Sequence, residues 1–356
     1  MPEKKSPYLQ DVHGFRGVAI LFIVAAHVSG TYLYHHQQVV GEYEPERLLT
    51  AINEVLWHNT TIYFSLISGL LFSVVSAARG WVAFFYSRTK NVLFPYIVMS
   101  ALFTFVDYHV EVANGFFYIY RGGPVPYLKT LLKNILLGSA ALPYWYIPVL
   151  FLLFLLTPII WFLVRKTPAA VLVMALLPLL FSRTSILLSA QSVVFFLGAY
   201  TIGMYLGIDY NKSIRYLRSK IHLFAMIAVI TTTILLAWYI NNWPIGGLVS
   251  IEESIFYLQK LAFAALLLVF LNHYQKRLPK HLEVFANYAF TIYFIHTFFL
   301  HMLTVFALRL VPPPVSMTGL IVIIVVVLVA VVSICVGVGI GLRRIFGRHS
   351  RIIIGA

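Results

Sequence analysis

The sequence predicts an all-α protein, a polytopic integral membrane bundle of about ten transmembrane helices with both termini cytoplasmic. Its 356 residues are 60% hydrophobic and only 11% charged, whereas a soluble domain carries about a quarter charged residues. Continuous apolar runs such as 318–342 contain no charge and exceed the roughly 20 residues that cross a bilayer. A membrane β-barrel would instead show ~10-residue segments of alternating hydrophobicity.

Ten apolar segments are predicted to cross the membrane, and short basic connections such as 165–166 and 276–280 separate several of them. The first is too long for a signal peptide and lacks a small-residue cleavage site, so it is expected to remain uncleaved. The run 128–140 is short and has Lys129 and Lys133 near its start, which favours an interfacial or re-entrant helix of an outer loop. The predicted spans are 14–34, 55–77, 92–112, 145–164, 168–181, 191–208, 221–240, 254–272, 286–308 and 318–341.

The orientation follows from the distribution of charge. With the N-terminus inside, 19 of the 26 Lys and Arg residues fall on the inner side and eight of the 12 acidic residues fall outside. This asymmetry obeys the positive-inside rule. It therefore explains the net charge of +14 without a nucleic-acid partner, and membrane lipid is the expected surrounding.

The chain is expected to form one membrane domain over residues 1–356, because no loop is long enough for a soluble catalytic domain. Its single cysteine, Cys335, lies inside the last apolar run. This excludes an intrachain disulfide and a cysteine metal site, and no metal is expected. Phosphate-binding glycine loops and the metalloprotease and serine-hydrolase motifs are absent.

Arg16 and His27 are the only strongly ionisable or imidazole side chains between Gly14 and Tyr34. They are eleven residues apart, close to three helical turns, so they share one helix face and lie ~16 Å apart along the axis. Such residues inside a span are functional hypotheses by default. A buried neutral imidazole can act as a general base on a hydroxyl, although a histidine can also simply bond a neighbouring helix. Arg16 alone is typical of a positive-inside residue whose charge reaches the interface.

Two further features can carry chemistry or have ordinary structural roles. Arg88 and Lys90 precede the third span and can bind phosphate, although basic pairs in this place are also common topology signals. His296 is predicted at a depth comparable to His27, where it can support a reacting group or brace the core.

The remaining candidates are predicted near the outer interface. Asp107 and Glu111 can orient an imidazole or bind a polar acceptor, but exposure at the interface is the ordinary interpretation, and it applies to Glu252 and Glu253 as well. Trp145 belongs to a group of aromatic residues that is typical of an interfacial belt, with sugar stacking as the functional alternative.

Taken together, these residues resemble the acyltransferase-3 family of membrane acyltransferases over nearly the whole chain. Each motif is short, but their order, spacing and placement on spans are fairly specific. The matching stretches are Gly14-Phe15-Arg16-Gly17-Val18-Ala19-Ile20 with His27, Phe64-Ser65-Leu66-Ile67-Ser68-Gly69, Arg88-Thr89-Lys90 before Pro95-Tyr96, Trp145-Tyr146-Ile147 with Pro158, and Ile292-Tyr293-Phe294-Ile295-His296.

The resemblance implies a multi-pass protein of the bacterial cytoplasmic (inner) membrane that moves an acyl group, most often acetyl, from cytoplasmic acyl-CoA to a hydroxyl of a cell-surface or lipid-linked glycan. It implies that Arg16 and His27 are essential and that Arg88 and Lys90 help to hold the CoA phosphates. Direct transfer is favoured because no serine or cysteine nucleophile stands out, and an acyl-histidine relay stays open.

The competing hypothesis is a transporter or exporter of glycan or lipid-linked precursor. Such proteins often contain internal repeats and broken helices, and neither is evident in the sequence. A non-catalytic assembly subunit is a third alternative.

Overall fold

The computed structural model describes residues 9–41, 44–105, 123–181, 183, 188–243, 249–311 and 315–355. The secondary structure within these ranges is helical throughout, joined by turns and short 3-10 or π segments. The α-helices are, in chain order, α1 Gln10–Val40, α2 Glu44–Trp57, α3 Ile62–Leu71, α4 Trp81–Arg88, α5 Phe94–Phe105, α6 Pro124–Leu137, α7 Tyr146–Lys166, α8 Pro168–Leu176, α9 Ala190–Ile208, α10 Tyr210–Ser219, α11 Ile221–Ile240, α12 Ile251–His273, α13 Lys280–Asn287, α14 Ala289–Leu310, α15 Met317–Phe346 and α16 Ser350–Ile354.

Eight stretches among the described residues are long and apolar enough to cross a membrane, which agrees with eight of the ten predicted spans. The apolar helix Pro168–Leu179 is shorter than a spanning helix, and the predicted span 92–112 runs past the described residues after α5. The count of ten and the orientation of the termini therefore stay predictions. The eight stretches are Gln10–Val39, Arg47–Arg79, Leu142–Lys166, Ala190–Ile208, Ile221–Ile240, Ile251–His273, Ala289–Leu310 and Met317–Phe346.

Serine side chains begin three of these stretches. Ser189, Ser250 and Ser316 precede α9, α12 and α15, and each hydroxyl accepts a hydrogen bond from the backbone N–H three residues later at 3.1–3.2 Å. The first N–H groups of a helix have no partner within it, and a serine at this position satisfies one of them.

The first turn of α1 is held by Asp11. Its Oδ2 atom accepts hydrogen bonds from the Tyr210 hydroxyl at 2.8 Å and the Asn272 amide at 2.7 Å. These bonds attach the start of α1 to α10 and to the end of α12, so the register of α1 is defined near Arg16.

Helices α3 and α9 cross at very short distance through two glycines. A Cβ atom on Gly69 would come within 2.0 Å of the Tyr200 carbonyl oxygen, and one on Gly203 within 2.0 Å of the Leu66 carbonyl oxygen. Small residues allow this approach within a membrane, where packing rather than water drives helix association. Gly69, the glycine of the second-span motif, therefore serves helix packing.

The second membrane stretch, Arg47–Arg79, is broken where α2 ends and α3 begins. Residues 58–61 form a turn in which Asn59 has a φ of +58°. The ammonium group of Lys260, a fully buried side chain of α12, donates hydrogen bonds to the carbonyl oxygens of Val55 and Leu56 at 3.0 and 2.9 Å. Lys260 thus satisfies carbonyl groups that the end of α2 leaves without helical partners.

Candidate active site

Arg16 and His27 face the same neighbouring helix, α14. The Arg16 guanidinium carbon lies 4.9 Å from the centre of the Phe290 ring, and the His27 ring centre lies 5.4 Å from that of His296. The prediction that the two residues share one face of α1 is therefore confirmed. The structure also brings together the two histidines that the sequence predicted at comparable depth.

The tautomer of His296 follows from its hydrogen bonds. Its Nδ1 atom lies 2.8 Å from the Ile292 carbonyl oxygen and 3.0 Å from that of Tyr293. Carbonyl oxygens only accept, so Nδ1 carries the proton, and Nε2 of the neutral ring is an acceptor. Nε2 is buried and makes no hydrogen bond within the described residues. His296 therefore offers one lone pair beside His27.

His27 lies on the wall of a cavity of about 300 Å³, hereafter the central cavity. Aromatic, amide and charged side chains from several parts of the chain surround it, a composition typical of small-molecule sites. The lining residues are Ile23, Ala26, His27, Gly30, Asn53, Glu54, Trp57, His58, Asn59, Thr60, Thr61, Leu142, Trp145 and Arg183.

Trp145 forms part of this wall because its segment is tied to α14. The Tyr144 hydroxyl donates to the Phe294 carbonyl oxygen at 2.9 Å, and the Tyr293 hydroxyl donates to the Pro143 carbonyl oxygen. Trp145 is only 6% exposed, and the Arg183 guanidinium carbon lies 4.5 Å from its ring centre. The sugar-stacking alternative for Trp145 thus has a cavity beside it.

A glutamate–histidine cluster, consisting of Glu54, His58 and Glu253, borders the central cavity. His58 Nδ1 lies 3.1 Å from Glu54 Oε2, and His58 Nε2 lies 3.1 Å from Glu253 Oε1. The second Glu253 oxygen accepts from the Asn59 amide. No group of three or more side chains suited to hold a metal ion occurs in the described part of the chain.

The expectation that Glu252 and Glu253 are exposed is wrong. They are 2% and 9% exposed because the start of α12 packs against the break in the second stretch and against α11. The Glu54–His58 contact joins residues four apart, which are neighbours on a helix. This spacing was the only local signal of the cluster, since Glu253 lies far along the chain.

Arg88 and Lys90 point in different directions, as residues two apart in a helical segment do. The Arg88 guanidinium turns inward, 5.3 Å from the Phe84 ring centre and 5.1 Å from that of Phe154, with a weak contact to Ser76 at 3.5 Å. Burial lowers the pKa of Arg88 from its ordinary value. Lys90 is exposed and lies over the ring of Tyr86 at 5.6 Å.

Lys90 instead lines a second, surface cavity of about 340 Å³, hereafter the basic pocket. Arg351 and His349, from the end of the chain, line the same pocket. The segment that carries Arg351 also packs beside Arg16, because a Cβ atom on Gly355 would come within 2.5 Å of the side chain of Phe290, whose ring Arg16 covers. Arg16, Arg88 and Arg351 thus form a basic cluster at one end of α1, and Arg351 connects it to Lys90.

Arg183 is the charged residue of the central cavity that lies outside the membrane stretches. Burial lowers its pKa from the ordinary value, whereas the nearby carboxylates of Glu253 and Glu54 act in the opposite direction. No local sequence pattern distinguishes Arg183, Asn59 or Arg351 from other residues of their type. Asp107 and Glu111, the remaining predicted site residues, lie outside the described residues.

The fold and the site define a multi-pass membrane protein in which two histidines from different spans meet, one of them on the wall of a cavity that also holds amide and charged side chains. The chain belongs to the acyltransferase-3 family, since the model of that family, described as an acyltransferase domain, matches residues 9–340. Neither the curated proteins nor the solved structures contain a match to the chain. The family assignment confirms the resemblance inferred from the motifs and supports an acyltransferase of the membrane.

Proposed function

We propose that this protein transfers an acyl group, most simply acetyl, from acyl-CoA to a hydroxyl of a cell-surface or lipid-linked glycan. The observation that carries this proposal is the position of His27, on the wall of the central cavity and 5.4 Å from His296. The basic cluster lies at the other end of the same face of α1.

The donor, acyl-CoA, is an anionic substrate whose phosphates match the basic pocket. Arg351 and Lys90 line this pocket, and arginine can contact phosphate oxygens through two parallel hydrogen bonds. Arg16 lies ~16 Å along α1 from His27. In this proposal the phosphates bind near Arg351 and Lys90 on the cytoplasmic side, and the arm that bears the thioester extends past Arg16 towards His27.

The proposed reaction is a direct transfer. The acceptor hydroxyl gives its proton to the neutral His27 ring while its oxygen attacks the thioester carbonyl carbon. The new carbon–oxygen bond replaces the carbon–sulfur bond, and the proton passes from His27 to the departing CoA sulfur. The Nε2 lone pair of His296 stabilises the imidazolium that forms transiently on His27.

The proposed location is the bacterial inner membrane, with the basic pocket facing the cytoplasm and the acceptor arriving from the opposite side. Cys335 is the single cysteine of the sequence, so its replacement by serine would leave a cysteine-free chain in which introduced single cysteines report sidedness. A cysteine at Ser87 should resist a membrane-impermeant thiol reagent in intact cells. Labelling of that cysteine from outside would contradict a cytoplasmic donor site.

The activity itself is tested with purified protein, acetyl-CoA labelled in the acetyl group, and glycan extracted from a bacterial envelope. We expect acceptor-dependent release of CoA and label in the glycan. Glycan transport without CoA release would overturn the proposal and favour an exporter.

A further inference from the structure

The break in the second membrane stretch forms part of the central cavity. Residues 58–61 interrupt the helix, and all four line this cavity. Irregular backbone at membrane depth is tolerated where protein buries it or where it lines a polar cavity. The break thus turns polar groups of the second stretch towards the space beside His27.

The break is rigidly held by α12. Glu253 bonds the His58 ring and the Asn59 amide, and Lys260 bonds the carbonyl oxygens of Val55 and Leu56. An amide nitrogen only donates, so Asn59 donates to the Glu253 carboxylate. The Asn59 side chain is consequently oriented by its amide nitrogen, which leaves its oxygen for another partner.

Two polar atoms on this side of the cavity are buried and make no hydrogen bond within the described residues: Asn59 Oδ1 and Arg183 Nε. Asn59 is 6% exposed, and the guanidinium carbon of Arg183 lies 4.5 Å from the centre of the Trp145 ring. Buried polar atoms normally have partners, so each exception needs a reason. One atom accepts and the other donates, and a hydroxyl group can do both.

We propose that Asn59 and Arg183 bind the ring hydroxyls of the acceptor, a neutral sugar whose reacting hydroxyl then points to His27. This inference rests on the proposed function and identifies the binding subsite for its acceptor. A cavity of about 300 Å³ lies at the small end of ligand sites, which suits a single sugar ring. The carboxylate of Glu54 lines the same cavity and that of Glu253 bonds the His58 and Asn59 side chains on its wall, and these negative charges favour a neutral ring over an anionic one.

The test compares two variants with matched controls. Asn59→Gly tolerates the positive φ and removes the side-chain oxygen, and Asn242→Gly makes the same change at an exposed asparagine with a φ of +51°. Arg183→Lys keeps the charge and removes Nε, and the exposed Arg309 provides the matching Arg309→Lys control. Purified proteins receive labelled acetyl-CoA and, as acceptor, octyl glucoside or its anionic analogue octyl glucuronide.

For Asn59→Gly and Arg183→Lys we expect the KM for octyl glucoside to rise at least tenfold. The KM for acetyl-CoA should stay within twofold of wild type, as should every parameter of the controls. An unchanged acceptor KM, an equal rise in the acetyl-CoA KM, or a wild-type preference for the glucuronide would overturn the inference. CoA release by the wild type without labelling of either glycoside would also overturn it. Absence of CoA release with every acceptor, envelope glycan included, would instead count against the proposed function.

Discussion

Replacement of His296 by asparagine distinguishes the roles of the two nitrogens of the histidine ring. The asparagine amide nitrogen can take the place of Nδ1 and keep donating to the Ile292 and Tyr293 carbonyl oxygens, which lie 2.8 and 3.0 Å away in the native protein. The Nε2 lone pair is lost. The ring centres lie 5.4 Å apart, and we expect His27 to turn and donate to Nε2 once it gains a proton, so that the loss falls on the imidazolium formed during transfer.

The size of the effect follows from the strength of that bond. A hydrogen bond to a charged group contributes about 1.5–3 kcal/mol, which corresponds to a roughly 10- to 150-fold decrease in kcat at 1.4 kcal/mol per factor of ten. The KM for acyl-CoA should change little, because the bond strengthens only when His27 gains a proton. His296→Gln carries its amide further from the backbone, near the native Nε2, and should recover part of the rate.

The assay is CoA release at saturating acceptor, with the thermal unfolding midpoint measured on the same preparations. His301→Asn, five residues further along α14, is the control and should keep the wild-type rate. Wild-type kcat in His296→Asn would refute the supporting role of Nε2. If the Asn and Gln variants lose the same amount of rate, and this loss parallels a loss of thermal stability, then His296 has only a packing role.

Three further predictions concern the donor site and the fold. Arg351→Gln should raise the KM for acyl-CoA a few-fold and leave kcat unchanged, and this rise in KM should become smaller at high salt. Arg344→Gln, at the exposed end of α15, is the control and should leave the KM unchanged. An equal rise in KM in both variants would show a nonspecific charge effect. Gly203→Ala should destabilise the protein by about 1–3 kcal/mol through overpacking. Gly337→Ala is the control and should be tolerated, because a Cβ atom added there would meet no neighbouring group within 4 Å. Equal thermal unfolding midpoints for the two variants would contradict the close helix crossing. Lys260→Met should cost about 3 kcal/mol because two buried carbonyl groups of α2 lose a charged donor, and an unchanged midpoint would show that those groups find other partners.

Local sequence patterns predicted the long spans and the shared face of Arg16 and His27, because both depend on helix periodicity and apolar length. Helix geometry could also have shown that Arg88 and Lys90 diverge, since residues two apart do not share a face. The same pattern could not reveal partners that lie far apart along the chain.

The contacts around the central cavity could not be predicted from the sequence, because they join distant parts of the chain. His58 and Glu253 are 195 residues apart, and two acidic residues at the start of a span are typical of an interface. Only the packing of α12 against the broken second stretch buries them. Arg351 likewise resembles the many other positive-inside residues of the sequence, and its place in the basic cluster depends on how α16 packs.

The central claim is tested most directly by acceptor-dependent CoA release from labelled acetyl-CoA in wild-type and His27→Ala proteins of equal thermal stability. Removal of a general base slows a reaction by about 10²–10⁴-fold, and we predict a decrease in this range with unchanged binding of CoA. Full turnover in His27→Ala would contradict the proton transfer on which the proposed mechanism depends.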